Sequence, residues 1–373
     1  MKANTSAIAG ELVIRSAVRL IALIIFIAAA QARVFGSVET TSGSGTCSPQ
    51  LIVLLKVGRP TGFPQPSNVT LFCGSPPKQQ WTSDSVPHAA TASAVGSTIY
   101  IATAEQSYYS EKPAYVALLS RIDGSVVKEL HPECASYIAV APTRRLVYAD
   151  MFAKCTPNSE HRLTIVTPPE QEVVSKNLIT EWPPVRFVFD RDNQLYILQN
   201  PYEIEAFDST FRLLRQYPGG YNIIDPQDVA FTPQNGMLIA NSRTDFCSQG
   251  KIVTGFVSAF KPNSTDLVAR FGIGGCPTSI AIFNSEVYVA DGLNSRIMVY
   301  SLPKFKLVRR ITSGIELPKK IRFDRQGRLY VLNVPRLFAR TGNANISIYE
   351  RGQSLPSTVL PFGNSDPFDM IVD

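Results

Sequence analysis

PTSIAIFNSEVYVADGLNSRIMVYSLPKFKLVRRI, residues 277–311, holds four short strand patterns in 35 positions. Pro277–Ile282 opens it, Val287–Ala290 follows, and Arg296–Tyr300 and Lys306–Ile311 complete it. Each run is rich in β-branched and aromatic residues, and the breaks between them carry Asn, Ser, Gly or Pro, the residues of tight turns. No apolar spacing of three to four residues competes with this reading, so a helical unit is excluded here.

The opening element, Pro-x-x-Φ-x-Φ with Φ apolar, recurs outward in both directions. It stands as Pro184–Phe189, Pro226–Phe231, Pro318–Phe323 and Pro367–Val372, with weaker copies from Pro87 and from Ala135. The starts lie 48, 49, 42, 51, 41 and 49 residues apart. A tight turn and a second strand follow each copy up to the sixth: Thr98–Ala102, Leu146–Ala149, Leu195–Leu198, Met237–Ala240, Val287–Ala290 and Leu329–Leu332. Four strands per 41–51 residues match the blade of a β-propeller, so the fold class is all-β, a propeller of six to seven four-stranded blades. Six repeats run from residue 87 to about 366, and Pro367–Asp373 is then an inner-type strand without a blade. Gln50–Val57 and Asn68–Phe72 are the strands left to pair with it. A seventh blade built from both ends of the chain removes the open edges of the ring. A six-bladed ring with these segments as trimmings is the alternative.

The rest of the sequence sets the environment. Apolar residues make up 45% of the 373 and charged ones 18%, enough for a core. Arg15 and Arg19 precede the apolar run Leu20–Ala30, and Ala30-Gln31-Ala32 has the small-residue pattern of a signal cleavage site. Residues 1–32 therefore read as a signal peptide and 33–46 as a flexible linker. Residues 47–373 form one propeller domain, secreted or periplasmic after cleavage; a retained N-terminal signal anchor is the alternative. The formal charge of +6 includes +2 from residues 1–32 (Lys2, Arg15 and Arg19 against Glu11), leaving +4 without a basic run. No nucleic-acid partner is expected from so scattered a charge. No other apolar run is long enough to cross a membrane, and a monomer is expected.

Six cysteines, all beyond the signal, suggest disulfides. Blade geometry places Cys134 before a first strand and Cys155 after the second, at the same end of one blade. Cys247 and Cys276 are related in the same way across two blades. The expected pairs are Cys134–Cys155, Cys247–Cys276 and, by elimination, Cys47–Cys73.

Candidate sites follow from strand direction. The second-to-third connections are long and share one end of the propeller, where binding loops concentrate. They carry Tyr108, Tyr109, Phe152, Arg243, Phe246, Arg336, Phe338 and Arg340. At the end of each second strand stands a polar residue: Thr103, Asp150, Gln199, Asn241, Asp291 and Asn333. Taken as a ring at the channel mouth, these offer oxygen ligands for a hard cation such as Ca²⁺, with Asp150 and Asp291 as its charged members. The alternative is that each ends its strand by bonding nearby backbone. The three histidines, His88, His131 and His161, form no ligand motif, and no nucleophile or phosphate-loop signature is present.

Val289–Tyr300, VADGLNSRIMVY, resembles the NHL-repeat consensus. Residues 87–373 are similar to NHL-like propellers and to the related gluconolactonase-like group, most clearly in blades three to six. The resemblance implies a propeller, and for the gluconolactonase-like group metal ligands of Asp, Asn and Glu at the channel mouth. Two functions remain. One is a binding or scaffolding module that engages a protein, peptide or glycan through the long-loop face. The other is a metal-dependent hydrolase or lactonase at the channel mouth.

Overall fold

The computed structural model describes residues 48, 50–56, 67–86, 89–103, 115–130, 137–141, 143, 146–149, 161–167, 172–174, 179–180, 184–199, 203–217, 219–242, 255–334, 344–362 and 366–373. None of these is helical, and none belongs to a helix long and apolar enough to cross a membrane. Their strands form seven antiparallel sheets, six of four strands and one of five. The inner strands are Ala89–Val95, Tyr137–Val140, Pro184–Phe189, Pro226–Phe231, Pro277–Phe283, Pro318–Phe323 and Asp366–Val372. The protein is a β-propeller, and these strands line its central channel.

The seventh sheet is the composite one. Asp366–Val372 pairs antiparallel with Gln50–Lys56, which pairs with Ser67–Cys73 and then Lys78–Ser83. Leu51 lies opposite Val372 and Ile52 opposite Ile371. The period of two in the strand explains why this closes the ring. Leu51 and Val53 pack with Tyr330 and Leu332 of the sixth blade, while Ile52 and Leu54 pack with Ile99 and Ile101 of the first. Each of these leucine and isoleucine side chains is buried and stabilises by about 1.5–3 kcal/mol. Comparable apolar layers fill the other five gaps between blades, so the core is a series of seven layers among the described residues. This is why the second strands are buried on both faces and read as continuous apolar runs.

Turn chemistry agrees with the sequence. Asn193, Asn235 and Gly327 hold the first-to-second turns at φ of 58°, 62° and 83°. The carboxylates of Asp190 and Asp324 each accept two backbone N–H groups across their turns at 2.9 Å. The outer strand Lys78–Ser83 was not anticipated. Its side chain Trp81 donates Nε1–H to the carbonyl of Arg121 at 3.1 Å. The Arg121 guanidinium in turn donates to Gln50 and to Asp373, at 3.0 and 2.5 Å. One turn of the first blade thus holds both strands that close the ring. Cys73 and Cys276 are disulfide-bonded, and their partners, like Cys47, Cys134, Cys155 and Cys247, lie outside the described residues.

Candidate functional site

The expected ring of strand-end residues has a different place. Thr103, Gln199, Asn241, Asp291 and Asn333 are all buried, and none lines the channel cavity. The reason is positional: an inner strand stands between each second strand and the axis. Every one of the five is tied to neighbouring protein groups. Thr103 exchanges hydrogen bonds with the backbone of Tyr115, and Gln199 donates to Glu205 at 2.7 Å. Asn241 accepts from the N–H of Ile224, and Asn333 accepts from that of Glu316. Asp291 accepts from the N–H of Cys276 at 3.0 Å, from Asn294 Nδ2 at 2.8 Å and from Arg296 Nε at 2.8 Å. Asp291, Asn294 and Arg296 are three of the polar residues of the NHL-like stretch, and here they lock one turn. A carboxylate surrounded by N–H donors and paired with a guanidinium does not fit a Ca²⁺ ligand. Asp150 lies outside the described residues, as do Tyr108, Tyr109, Phe152, Arg243, Phe246, Arg336, Phe338 and Arg340. No cluster of three or more His, Cys, Asp or Glu suited to a metal occurs among the described residues.

The channel is lined instead by the inner strands. Its cavity, about 770 Å³, receives side chains from all seven blades, among them Thr91, Ser93, Arg186, Lys320, Arg322 and Asp369. Strand register explains the set. In six of the seven blades the pairing slips between the first and third motif positions, or at the equivalent step. In those six blades the residue just past the slip is Thr91, Arg186, Asp228, Ser279, Lys320 and Asp369 in turn, the third motif residue in five of them and, in the first blade, the third from Ala89 rather than from Pro87. These side chains stitch neighbouring blades. Thr91 Oγ1 accepts from the N–H of Ile138, Asp228 Oδ2 from that of Ile280 and Ser279 Oγ from that of Ile321.

Ion pairs extend the stitching. Asp228, 1% exposed, takes Arg186 Nη1 at 2.9 Å, Arg322 Nη1 at 3.2 Å and the Ser279 hydroxyl at 2.5 Å. Arg322 reaches this carboxylate from two blades away. Burial works against ionisation of Asp228, but Arg186 and Arg322 outweigh it and hold the carboxyl down at about 2. Lys320 pairs with Asp369 in the next blade. Burial pushes the Lys320 ammonium down to about 8; Asp369 opposes that, and Arg322 and Arg186 add to it. The sequence contained most of this belt in plain form, as the third residue of the five copies that start at Pro184, Pro226, Pro277, Pro318 and Pro367, but those positions read as spacers between apolar ones.

No protein-family model matches the chain, and no curated protein matches it either. Solved structures do. Dihydro-heme d1 dehydrogenase NirN, in complex with DHE, matches 86% of this chain and 74% of its own, at 10% identity and a TM-score of 0.57. The computationally designed Ika8 protein matches over 80% and 82%, at 7% identity and a TM-score of 0.56. These two likenesses are of fold alone. Hydrazine synthase of Kuenenia stuttgartiensis matches over 52% of this chain at 16% identity and a TM-score of 0.42, and the chain spans about half, 53%, of that one.

Proposed function

We propose that this chain is an exported binding propeller that presents its long second-to-third connections to a protein, peptide or glycan partner. The observation that carries this reading is the anchoring of the loop roots. Thr103, Asn241 and Asn333 stand one or two residues before the connections 104–114, 243–254 and 335–343, and each is buried and bonded to backbone. Loops rooted on a rigid rim lose less conformational freedom on binding. Disulfide-bonded Cys73 and Cys276 support export, because such bonds persist in oxidising compartments. The signal at 1–32 and the linker at 33–46 belong to this reading, as does kinship with NHL-like propellers, which rests on Val289–Tyr300. The metal-dependent hydrolase reading has less support, since its charged ring is reduced to Asp150 once Asp291 is committed to Arg296.

The test is site-specific photo-cross-linking on the purified, exported protein. A photoreactive residue at Tyr109 or Phe338 should capture a discrete partner from its native compartment. One at Asn235 or Gln326, in the short turns at the other end, should capture none. Capture from the short-turn end alone would overturn the assignment.

A further inference from the structure

The stitching of the blades does not require charge. Thr91 and Ser279 bond the next blade's backbone N–H with a hydroxyl, in the same register where other blades carry Arg186, Asp228, Lys320 and Asp369. Buried charges bring a desolvation cost that a hydroxyl avoids, so their presence in the channel wall needs another reason.

Their arrangement supplies one. Asp228 does not line the cavity but lies behind it, while Arg186 and Arg322, which it holds, do line it and are 26% and 27% exposed. Lys320 joins them on the cavity wall with Asp369. Counting these groups gives three cations against two carboxylates; Lys319 and Asp225, also on the wall, cancel each other. The three cations feel one another, since Arg186 and Arg322 both disfavour the charged form of Lys320. Phe187, Phe368 and Met370 provide apolar surface in the same cavity. Its volume, about 770 Å³, is that of a small-molecule site.

We infer that the central channel binds a small organic oxyanion, a carboxylate or phosphate on an apolar body, with Arg186, Arg322 and Lys320 receiving the anionic group. Guanidinium groups oriented from behind by a carboxylate are suited to planar, paired recognition of oxyanions. A bound anion neutralises the surplus charge and favours the ammonium form of Lys320. This site is separate from the loop face and does not depend on the binding role proposed for it.

The experiment reads Lys320 directly in the full exported chain. Acetylation by a limiting amine reagent is followed by peptide mass spectrometry at pH 7, in inorganic phosphate or benzoate and in chloride at the same ionic strength. The exposed Lys304 is the internal control. If the anion raises the Lys320 pKa by about one, labelling slows about tenfold, because only the neutral amine reacts. Either anion slowing Lys320 and not Lys304 supports the site. Equal Lys320 labelling in phosphate, benzoate and chloride overturns it. Arg322→Gln should abolish the anion response, and full protection in that variant would also overturn the assignment. Should Arg322→Gln fail to fold, the wild-type comparison decides alone.

Discussion

Asp228→Asn tests the hub of the channel wall. The substitution keeps the size of the side chain and much of its hydrogen bonding to Ser279 and Ile280, but leaves Arg186 and Arg322 without their shared counter-charge. A carboxyl held at about 2 rather than at its ordinary 3.8 has gained roughly 2–3 kcal/mol of stability in its ionised form. Removing one partner of a fully buried pair costs about 3–5 kcal/mol, and the partial exposure of both arginines lowers that figure. A loss of about 2–3 kcal/mol at neutral pH is therefore expected, read by urea denaturation with tryptophan fluorescence. The sign with pH is fixed. The folded pKa lies below the unfolded one, so the contribution is present above about pH 4 and fades as pH falls through the folded value. The gap between wild type and variant should thus narrow on acidification from about pH 5 to about pH 3. A loss below about 0.5 kcal/mol, the range of ordinary surface changes, refutes the reasoning. So does a gap that stays constant with pH.

Other variants probe other parts of the ring. Arg121→Ala removes the bonds to Gln50 and Asp373 and should cost about 1.5–3 kcal/mol, with hydrogen exchange rising first in Gln50–Lys56 and Asp366–Val372. Unchanged protection there would show that Arg121 does not clasp the closing blade. Lys320→Met strands Asp369, 14% exposed on the cavity wall, and should lose less than the ~3–5 kcal/mol of a fully buried pair, whereas adding Asp369→Leu should restore most of the loss; no recovery in the double variant contradicts the pairing. Asp291→Ala should lower the melting temperature equally in calcium and in chelator, and a calcium-dependent difference would reinstate a metal role. Non-reducing peptide mapping should return Cys247–Cys276, Cys47–Cys73 and Cys134–Cys155, each closing a loop of about 20–30 residues for about 3 kcal/mol; any other pairing refutes the blade argument.

Where the repeat is strong, sequence and structure coincide. The inner strands at Pro184, Pro226, Pro277 and Pro318 begin at the residues where the motif begins, because proline lacks the N–H that a longer ladder would need. Asn193, Asn235 and Gly327 were readable as turn residues because few other side chains accept a positive φ. The composite blade was legible from the unpartnered strand at Pro367, since an unpaired edge has to be covered. Lys78–Ser83 was missed because an outer strand needs little apolar alternation, and four of its six residues are exposed. The strand-end ring was placed one strand too close to the axis. The Pro-x-x-Φ-x-Φ strand is the innermost, so Thr103, Gln199, Asn241, Asp291 and Asn333, at the ends of second strands, stand behind the channel wall.

The belt that does line the channel shows how a propeller separates stability from specificity. Each gap between blades gains most of its stability from an apolar layer such as Leu238, Val257, Ile280 and Val289, and that layer tolerates little change. The belt position just past the slip has a lighter duty, a hydrogen bond to the next blade, which Thr91 and Ser279 discharge with one hydroxyl each. It is therefore the position at which a blade can take on charge without rebuilding its core. In this chain the charges fall on one arc, from Arg186 in the third blade to Asp369 in the seventh, while the first two blades offer Thr91, Ser93, Ile138 and Ala139 to the same cavity. A channel lined this way is polar on one side and mild on the other. An amphiphilic anion would meet cations along one wall and small neutral groups along the opposite one.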